Sequence, residues 1–389
     1  MRATLEAMIQ SQKCTSFLSR VLDVPSYGYV RDGVFYKPSA GEIFREFGSR
    51  LNVFRSKKNW LPAFGWVMSL SLAVPLVLFF TNYFSWPLAL AGFLYSMVLM
   101  GSHGTFWLHR YGTHRAFQVN HPIARFFLRN LVIKIIPEEI YIVSHHVHHQ
   151  YSEKPGDPYN VNGGWLYCFL ADANHQMISS TLSREDYRRL GALMSHTSVK
   201  VNSYEQYQKY GSLCHPFRTI SNYLLNWAFW FGAFYLMGGM PLAIAIFGWA
   251  GVWGIGVRTY NYEGHGKGKD RRKVGSDFNR EDWSVNQVWP GYVAGEWHNN
   301  HHLYPSGSRS GFLSYQLDLP YLLIRFLHSM GVVNSFRDYK TDFMRDHYLP
   351  YKNGGGDPPT SRKKLNDAQS VAPELSVARE YLPKDETVA

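Results

Sequence analysis

The chain has 389 residues, a formal net charge of +11, 46% hydrophobic and 16% aromatic residues, and a mean hydropathy of −0.25. The mean reads as a soluble protein, but charge is sharply segregated along the chain, and that segregation decides the class. Its three cysteines, Cys14, Cys168 and Cys214, stand far apart, which excludes a disulfide framework and a thiolate metal site.

In chain order, Met1–Arg20 lacks the continuous apolar core of a signal peptide, and residues 1–59 read as an N-terminal cytoplasmic segment. From Trp60 through Leu108 there is no Asp, Glu, Lys or Arg, and the same holds from Thr219 through Val257. A transmembrane helix takes about 20 apolar residues to cross roughly 30 Å of hydrocarbon, so each stretch is long enough for two crossings. The first breaks at Ser85–Pro87 and the second at Gly238–Pro241, which predicts two helical hairpins, over about 60–108 and 219–262. A pair of buried helices in a soluble core is the alternative. Arg45, Arg50, Arg55, Lys57 and Lys58 precede the first hairpin, Arg110 and Arg115 follow it, and Arg218 and Arg258 bracket the second. By the positive-inside rule the long segments, 109–218 and 263–350, face the cytoplasm as a helical cap. The basic excess then belongs to membrane topology and lipid headgroups, which argues against nucleic acid as a partner. Residues 351–389, rich in Pro, Gly, Ser and charge, read as a disordered tail. The expected fold class is therefore an all-α integral membrane protein: four transmembrane helices in two hairpins, with a cytoplasmic helical cap holding a di-metal site.

The histidines fall on this map in clusters. "HRYGTH" carries His109 and His114 where the second crossing ends; "SHHVHHQYSEKPGDPYN" carries His145, His148 and His149; "EWHNNHHLYP" carries His298, His301 and His302. On a helix, i, i+3 and i+4 share a face, so each HxxHH is expected to aim three imidazoles at one point. Asn261 and His265, at i and i+4 in "TYNYEGH", end the fourth crossing at the same membrane level. His146 lies off the shared face; His121, His175, His196, His215, His328 and His347 are isolated and read as surface or core residues. His103, inside the second crossing, is open between a partner of the ligands and a packed neutral imidazole. Glu138, Glu139, Glu153, Asp157 and Glu296 are near enough in sequence to orient imidazoles through their second nitrogen.

More than four neutral nitrogen ligands exceed one tetrahedral zinc and indicate two metals. Imidazoles without thiolates beside an apolar membrane suit oxygen chemistry on hydrocarbon, which needs iron, dioxygen and electrons from outside.

The three boxes, their order and their place after paired hydrophobic hairpins resemble the membrane fatty acid desaturase family, closest to its delta-9 branch, over roughly residues 60–350. "HHQYSEKPGDPYN" is similar to that branch's HHxxSExxxDPxN, and "GEWHNNHHLYP" to its third box. The resemblance implies two iron ions held by His109, His114, His145, His148, His149, His265, His298, His301 and His302, Asn261 assisting through water, and O2 as co-substrate. It also implies an acyl chain in a kinked tunnel beside the metals, and electrons from a separate ferredoxin or cytochrome with its reductase. The chain departs from the acyl-CoA enzymes of that branch, which carry Arg-Asp before the second box and an Arg pair after DPxN. Here stand Val143-Ser144 and Val161-Asn162-Gly163-Gly164, which leaves lipid-linked, carrier-linked, CoA-linked and free acyl substrates open. Glu263, between Asn261 and His265, adds a carboxylate beside the site. The basic run Gly264–Lys273 is either a docking loop for an acidic donor or a solvated loop near headgroups. Within di-iron chemistry, hydroxylation and oxidative decarboxylation to a terminal alkene are the alternatives to desaturation. A non-catalytic membrane protein with a structural metal site is the alternative from another class.

Overall fold

The computed structural model describes residues 17–265 and 296–353. Residues 1–16, most of the basic run Gly264–Lys273, and the tail from 354 onward lie outside the described residues.

The chain is mostly helical. Helix α1 (Ala40–Leu51) opens with a capping box, in which Ser39 and Glu42 satisfy each other's backbone N–H groups. Three further helices are long and apolar enough to cross a membrane: α2 (Lys57–Tyr83), α3 (Trp86–Thr113) and a 49-residue run, Pro216–Gly264. Between α2 and α3 the chain turns at Phe84 and Ser85, and the Ser85 hydroxyl accepts from Leu88 N to start α3.

After α3 come α4 (Pro122–Arg129), α5 (Glu138–Tyr151) and α6 (Arg184–Met194). The run Pro216–Gly264, here α7, is broken at Gly238 and Gly239; Gly239 takes φ 68°, a conformation that favours glycine. Trp227 and Phe247 would stand about 30 Å apart on a straight helix. Their ring centroids are 5.7 Å apart, so α7 folds back on itself at the glycines.

The second limb of α7 lies against both earlier apolar helices. A Cβ at Gly248 would meet Leu76 and one at Gly251 would meet Leu72, stepping backward along α2; Gly92 and Gly104 of α3 face Trp249 and Trp253 in forward order. The limb is thus antiparallel to α2 and parallel to α3. Tyr95, Met100, Phe234, Ile246 and Phe247 share one core with Ile133 and Ile135 of the following loop.

Helix α3 winds as π-helix over Leu94–Met100 and again over Gly104–Thr113. π turns are rare and cluster at functional sites. Beyond α7 come α8 (His298–Leu303) and α9 (Leu319–Ser329), which packs Ile324 against Phe106, Phe117 and Leu128. The fold is not wholly α: Val30–Arg31 pairs with Val34–Phe35, and Phe117–Gln118 with Ser335–Phe336, both antiparallel. The second pairing ties the exit of α3 to the chain beyond α9.

The N-terminal segment is not separate either. Leu18, Val21 and Leu22 share a core with Ile142, Val143 and Val147 of α5 and with Leu190 and Met194 of α6. Two arginines that flank the apolar stretches turn inward: Arg110, 1% exposed, pairs with Asp318 at 2.9 Å, and Arg258 pairs with Asp172 at 2.9 Å over the Trp66 ring.

Two buried carboxylates begin α5. Burial pushes Glu138 up, but Arg129 and Lys134 outweigh it and hold it at about 2; the same burial draws Lys134 down to about 8. Glu139 has no cation partner among the described residues. Burial raises it to about 7, opposed by the N–H groups of Leu213 and Cys214, which it accepts at 2.9 Å each.

Two outcomes follow from this packing. A methyl at Gly248 would sit 2.8 Å from the Leu76 Cα, so Gly248→Ala should cost about 1–3 kcal/mol and lower the melting temperature in detergent. Because the folded value of Glu139 lies above its unfolded one, its contribution is complete below pH 4.5 and is lost as pH rises through about 7. Glu139→Gln should remove that part of the decline, read as melting temperature against pH.

Candidate metal centre

Nine histidines from four elements, α5, α8 and the ends of α3 and α7, converge in two groups. His109, His114, His145, His149 and His301 form the first, and His148, His265, His298 and His302 the second; within each group the candidate ligand atoms lie within 4.8 Å of one another. Every histidine singled out as a ligand from sequence is in one group or the other, and among the described residues no other histidine joins them.

The grouping differs from the sequence expectation in one respect. Neither HxxHH aims all three rings at one point. In α5, His145 and His149 serve the first group and His148 the second; in α8, His298 and His302 serve the second and His301 the first. Helical rotation is the reason: i+4 lies about 40° from i, whereas i+3 lies about 60° to the other side. Each box therefore gives two rings to one centre and reaches across with its third.

His109 and His114 meet for a different reason. Five residues apart on an α-helix they would point about 140° apart. The π winding closes a hydrogen bond from His114 N to His109 O at 3.1 Å and brings the two rings to 4.9 Å.

The Nε2 atoms point inward. In the first group His109 and His149 each stand 3.0 Å from His301, and His145 stands 3.1 Å from His149; in the second, His265 stands 2.9 Å and His302 3.1 Å from His298. Two nitrogens each about 2.1 Å from a common ion stand about 3.0 Å apart at a right angle and about 3.4 Å apart at a tetrahedral one. The observed spacings fit ions of higher coordination than tetrahedral zinc. His114 Nε2 and His148 Nε2 are buried with no hydrogen-bond partner among the described residues, as nitrogens reserved for a metal would be. The groups adjoin: the rings of His149 and His302, one from each, stack at 4.8 Å.

Three of the outer nitrogens are held by one loop. His148 Nδ1 meets Asp157 Oδ1 at 2.9 Å, His265 Nδ1 meets Glu153 Oε1 at 2.9 Å, and His145 Nδ1 meets the Tyr159 hydroxyl at 2.7 Å. Asp157 also accepts the N–H of Glu153 at 2.8 Å and of Tyr159 at 3.1 Å, so it fixes the whole loop. Glu153 takes φ 61°, a conformation that costs a non-glycine residue about 1–3 kcal/mol and is tolerated where function demands it. Glu296 is buried between His109 Nδ1 at 3.4 Å and His301 Nδ1 at 3.8 Å. Next to His109, the Arg110–Asp318 pair anchors the approach to α9: Asp318 also accepts from Ser310 N and Tyr321 N. Burial, reinforced by neighbouring rings, holds His114, His145, His149, His301 and His302 well below the usual imidazole range, which keeps them in the neutral form that binds metals.

Other candidates sort differently. Glu138 and Glu139 meet Arg129 and backbone N–H groups, not imidazoles. Asn261 lies one turn before His265, and its carbonyl accepts from His265 N at 3.3 Å; neither group takes in Glu263. His103 is a packed imidazole on Leu128 O at 2.8 Å, and His196 and His328 likewise meet backbone carbonyls. His175 is buried against Tyr27 and Tyr167, and His146 stands outside both groups. Sequence reading passed over Tyr159. Its signal was the aromatic directly after Asp157-Pro158, in the segment that carries the other orienting residues.

A family model described as fatty acid desaturase matches residues 84–330, which takes in α3, both histidine groups and all of α9. The chain belongs to the fatty acid desaturase family. This desaturase-family chain is 27% identical over 271 residues to a probable chloroplast lipid desaturase of Arabidopsis thaliana, a match covering 66% of this chain and 65% of that protein. It is 26% identical over 269 residues to a delta-9 acyl-lipid desaturase of the same plant, covering 65% of this chain and 76% of the other. A hex-5-enoyl acyl-carrier-protein acetylenase of Moorena producens is 27% identical over 249 residues, covering 58% and 70%. The chain thus spans just under two thirds of the first of these relatives. The family is one of oxidoreductases, and its membrane association agrees with three helices long enough to span a bilayer.

Asp157→Ala should cut metal affinity about 10–100-fold by releasing His148 and loosening Glu153 and Tyr159, read as metal retained against a chelator. Asp157→Asn should retain more metal, because its carbonyl still accepts from Nδ1–H.

Proposed function

We propose that this protein is an oxygen-dependent fatty acyl desaturase of a membrane, in which the first histidine group holds one iron and the second holds another. The observation that carries the reading is the pair of adjoining buried imidazole groups whose nitrogen spacing fits two ions. With iron bound, Asn261 would assist it through a water. The centre would supply the reduction of O2 to two waters, coupled to removal of two hydrogens from an acyl chain, with two electrons drawn from a separate carrier such as a ferredoxin or cytochrome and two protons from solution.

The chain's own residues supply position and exclusion. Glu153, Asp157 and Tyr159 fix ring orientation through the outer nitrogens, and the buried Arg110–Asp318 pair holds the α8–α9 segment against α3. The acyl chain approaches along the apolar side of α3, whose last turns lead to His109. Placed this way, the reacting methylenes meet the metals out of contact with water.

The break in α7 supports four crossings, with the histidine groups on the cytoplasmic side by the distribution of Arg and Lys. Val143 and Ser144, both buried, stand where a CoA-binding pair would be expected, which favours a lipid-linked acyl substrate, while the plant relatives include acyl-lipid and acyl-CoA enzymes alike.

The test is expression in a host without desaturases, supplied with iron and an electron donor, followed by mass spectrometry of fatty acids and hydrocarbons. A new monounsaturated acid, absent with His301→Ala, is the expected outcome. A hydroxy acid, acetylenic acid or terminal alkene would retain the di-iron reading and overturn the reaction. Two bound irons without oxygen consumption under any donor would favour a structural metal site.

A further inference from the structure

A second built site lies away from the histidines, between the starts of α2 and α7. A cavity of about 230 Å³ opens beside Leu61, near the start of α2, and Arg218, the third residue of α7, and its basic side chains are Arg129, Lys200, His215 and Arg218. Two carboxylates also line it, and both are already engaged. Glu138 takes Arg129 at 2.5 Å and Lys134 at 3.4 Å, and Glu139 accepts two backbone N–H groups. Arg218 gives one hydrogen bond, to Asn202 Oδ1 at 3.3 Å, and neither it nor exposed Lys200 has a carboxylate partner among the described residues. The cavity thus offers two cations without carboxylate partners among the described residues, over a floor whose carboxylates are already engaged, Glu138 by cations and Glu139 by backbone N–H groups.

Its depth says what kind of anion fits. Both helices that border it are apolar enough to enter a bilayer, so the cavity sits where headgroups lie. Arg218, Asn222 and Leu225 follow one another at i, i+4 and i+7 along one face of α7, and Leu225 is exposed, as are Phe217 and Leu224 beside it. A cationic mouth therefore continues into an uncovered apolar face, the order of groups in a lipid read from head to tail.

We propose that this cavity binds the anionic head group of a membrane lipid, with its phosphate on Arg218 and Lys200 and its chains along the exposed face of α7. The site rests on the membrane placement proposed above and does not depend on the reaction. Free phosphate offers the same chemistry without the tail.

The experiment uses the full chain in detergent, titrated with phosphatidylglycerol or with phosphatidylcholine of identical acyl chains and read by native mass spectrometry. The wild type should prefer phosphatidylglycerol by about tenfold, the scale of one charge-assisted contact, and Lys200→Gln with Arg218→Gln should abolish the preference. Lys200→Gln alone, on an exposed side chain that cannot disturb the core, should reduce it part-way. Arg184→Gln, an exposed arginine elsewhere, should leave it intact. Unchanged preference in the double variant, or equal loss with Arg184→Gln, would overturn the site. Inorganic phosphate competing as effectively as the lipid would identify a free-anion site and overturn the lipid. Release of the chain from membranes by an alkaline wash would overturn the placement, whereas a retained chain without lipid selectivity would overturn the site alone.

Discussion

Nine imidazoles brought into one volume, six buried and three half-buried, are the constraint on which the rest of the structure depends. A buried imidazole must stay neutral, and its two nitrogens call for partners. The chain splits the work: most inner nitrogens face each other at 2.9–3.1 Å, those of His114 and His148 have no hydrogen-bond partner among the described residues, and outer ones meet Asp157, Glu153 and Tyr159, with Glu296 beside His109. Each HxxHH contributes to both groups, so α5 and α8 cannot shift independently without disturbing both centres.

The surrounding electrostatics follow from that burial. Arg110 beside His109 and Glu138 at the start of α5 are charges placed deep in the fold, and each is tolerable because it is paired with opposite charge. These pairs fix relative positions more than they add stability. Arg110 joins α3 to the segment leading into α9 through Asp318, Ser308 and Ser310, and so sets where His301 lies. Arg129, Lys134 and Glu138 perform the same task between α4 and α5, under the start of the second box.

The apolar helices supply the frame for this polar interior. Small residues allow the second limb of α7 to lie directly on α2 and α3, which sets the end of α3 and the end of α7 at one level. His109, in the last turns of α3, and His265, directly after α7, then enter the two groups. The apolar frame thus leads straight to the histidine groups.

Much of this was legible in sequence. Charge-free runs of fixed length dictate apolar helices because hydrocarbon tolerates few charges; the dense spacing of histidines marked eight members of the two groups, and His265 was marked by its place at the end of the fourth crossing and by the family resemblance. The breaks at Ser85 and Gly238 were equally plain, since serine before proline and paired glycines interrupt a helix for local reasons. What the sequence left open was which ring goes to which group. That depends on about 40° or 60° of helical rotation relative to a partner helix, and so on packing. The π winding that unites His109 with His114, the inward turn of Arg110 and Arg258, and the use of Tyr159 as an orienting group were likewise decided only in three dimensions. Local sequence sets a residue's chemistry and its phase on its own element; the group it meets is set by residues as much as 208 positions away, as with Arg110 and Asp318.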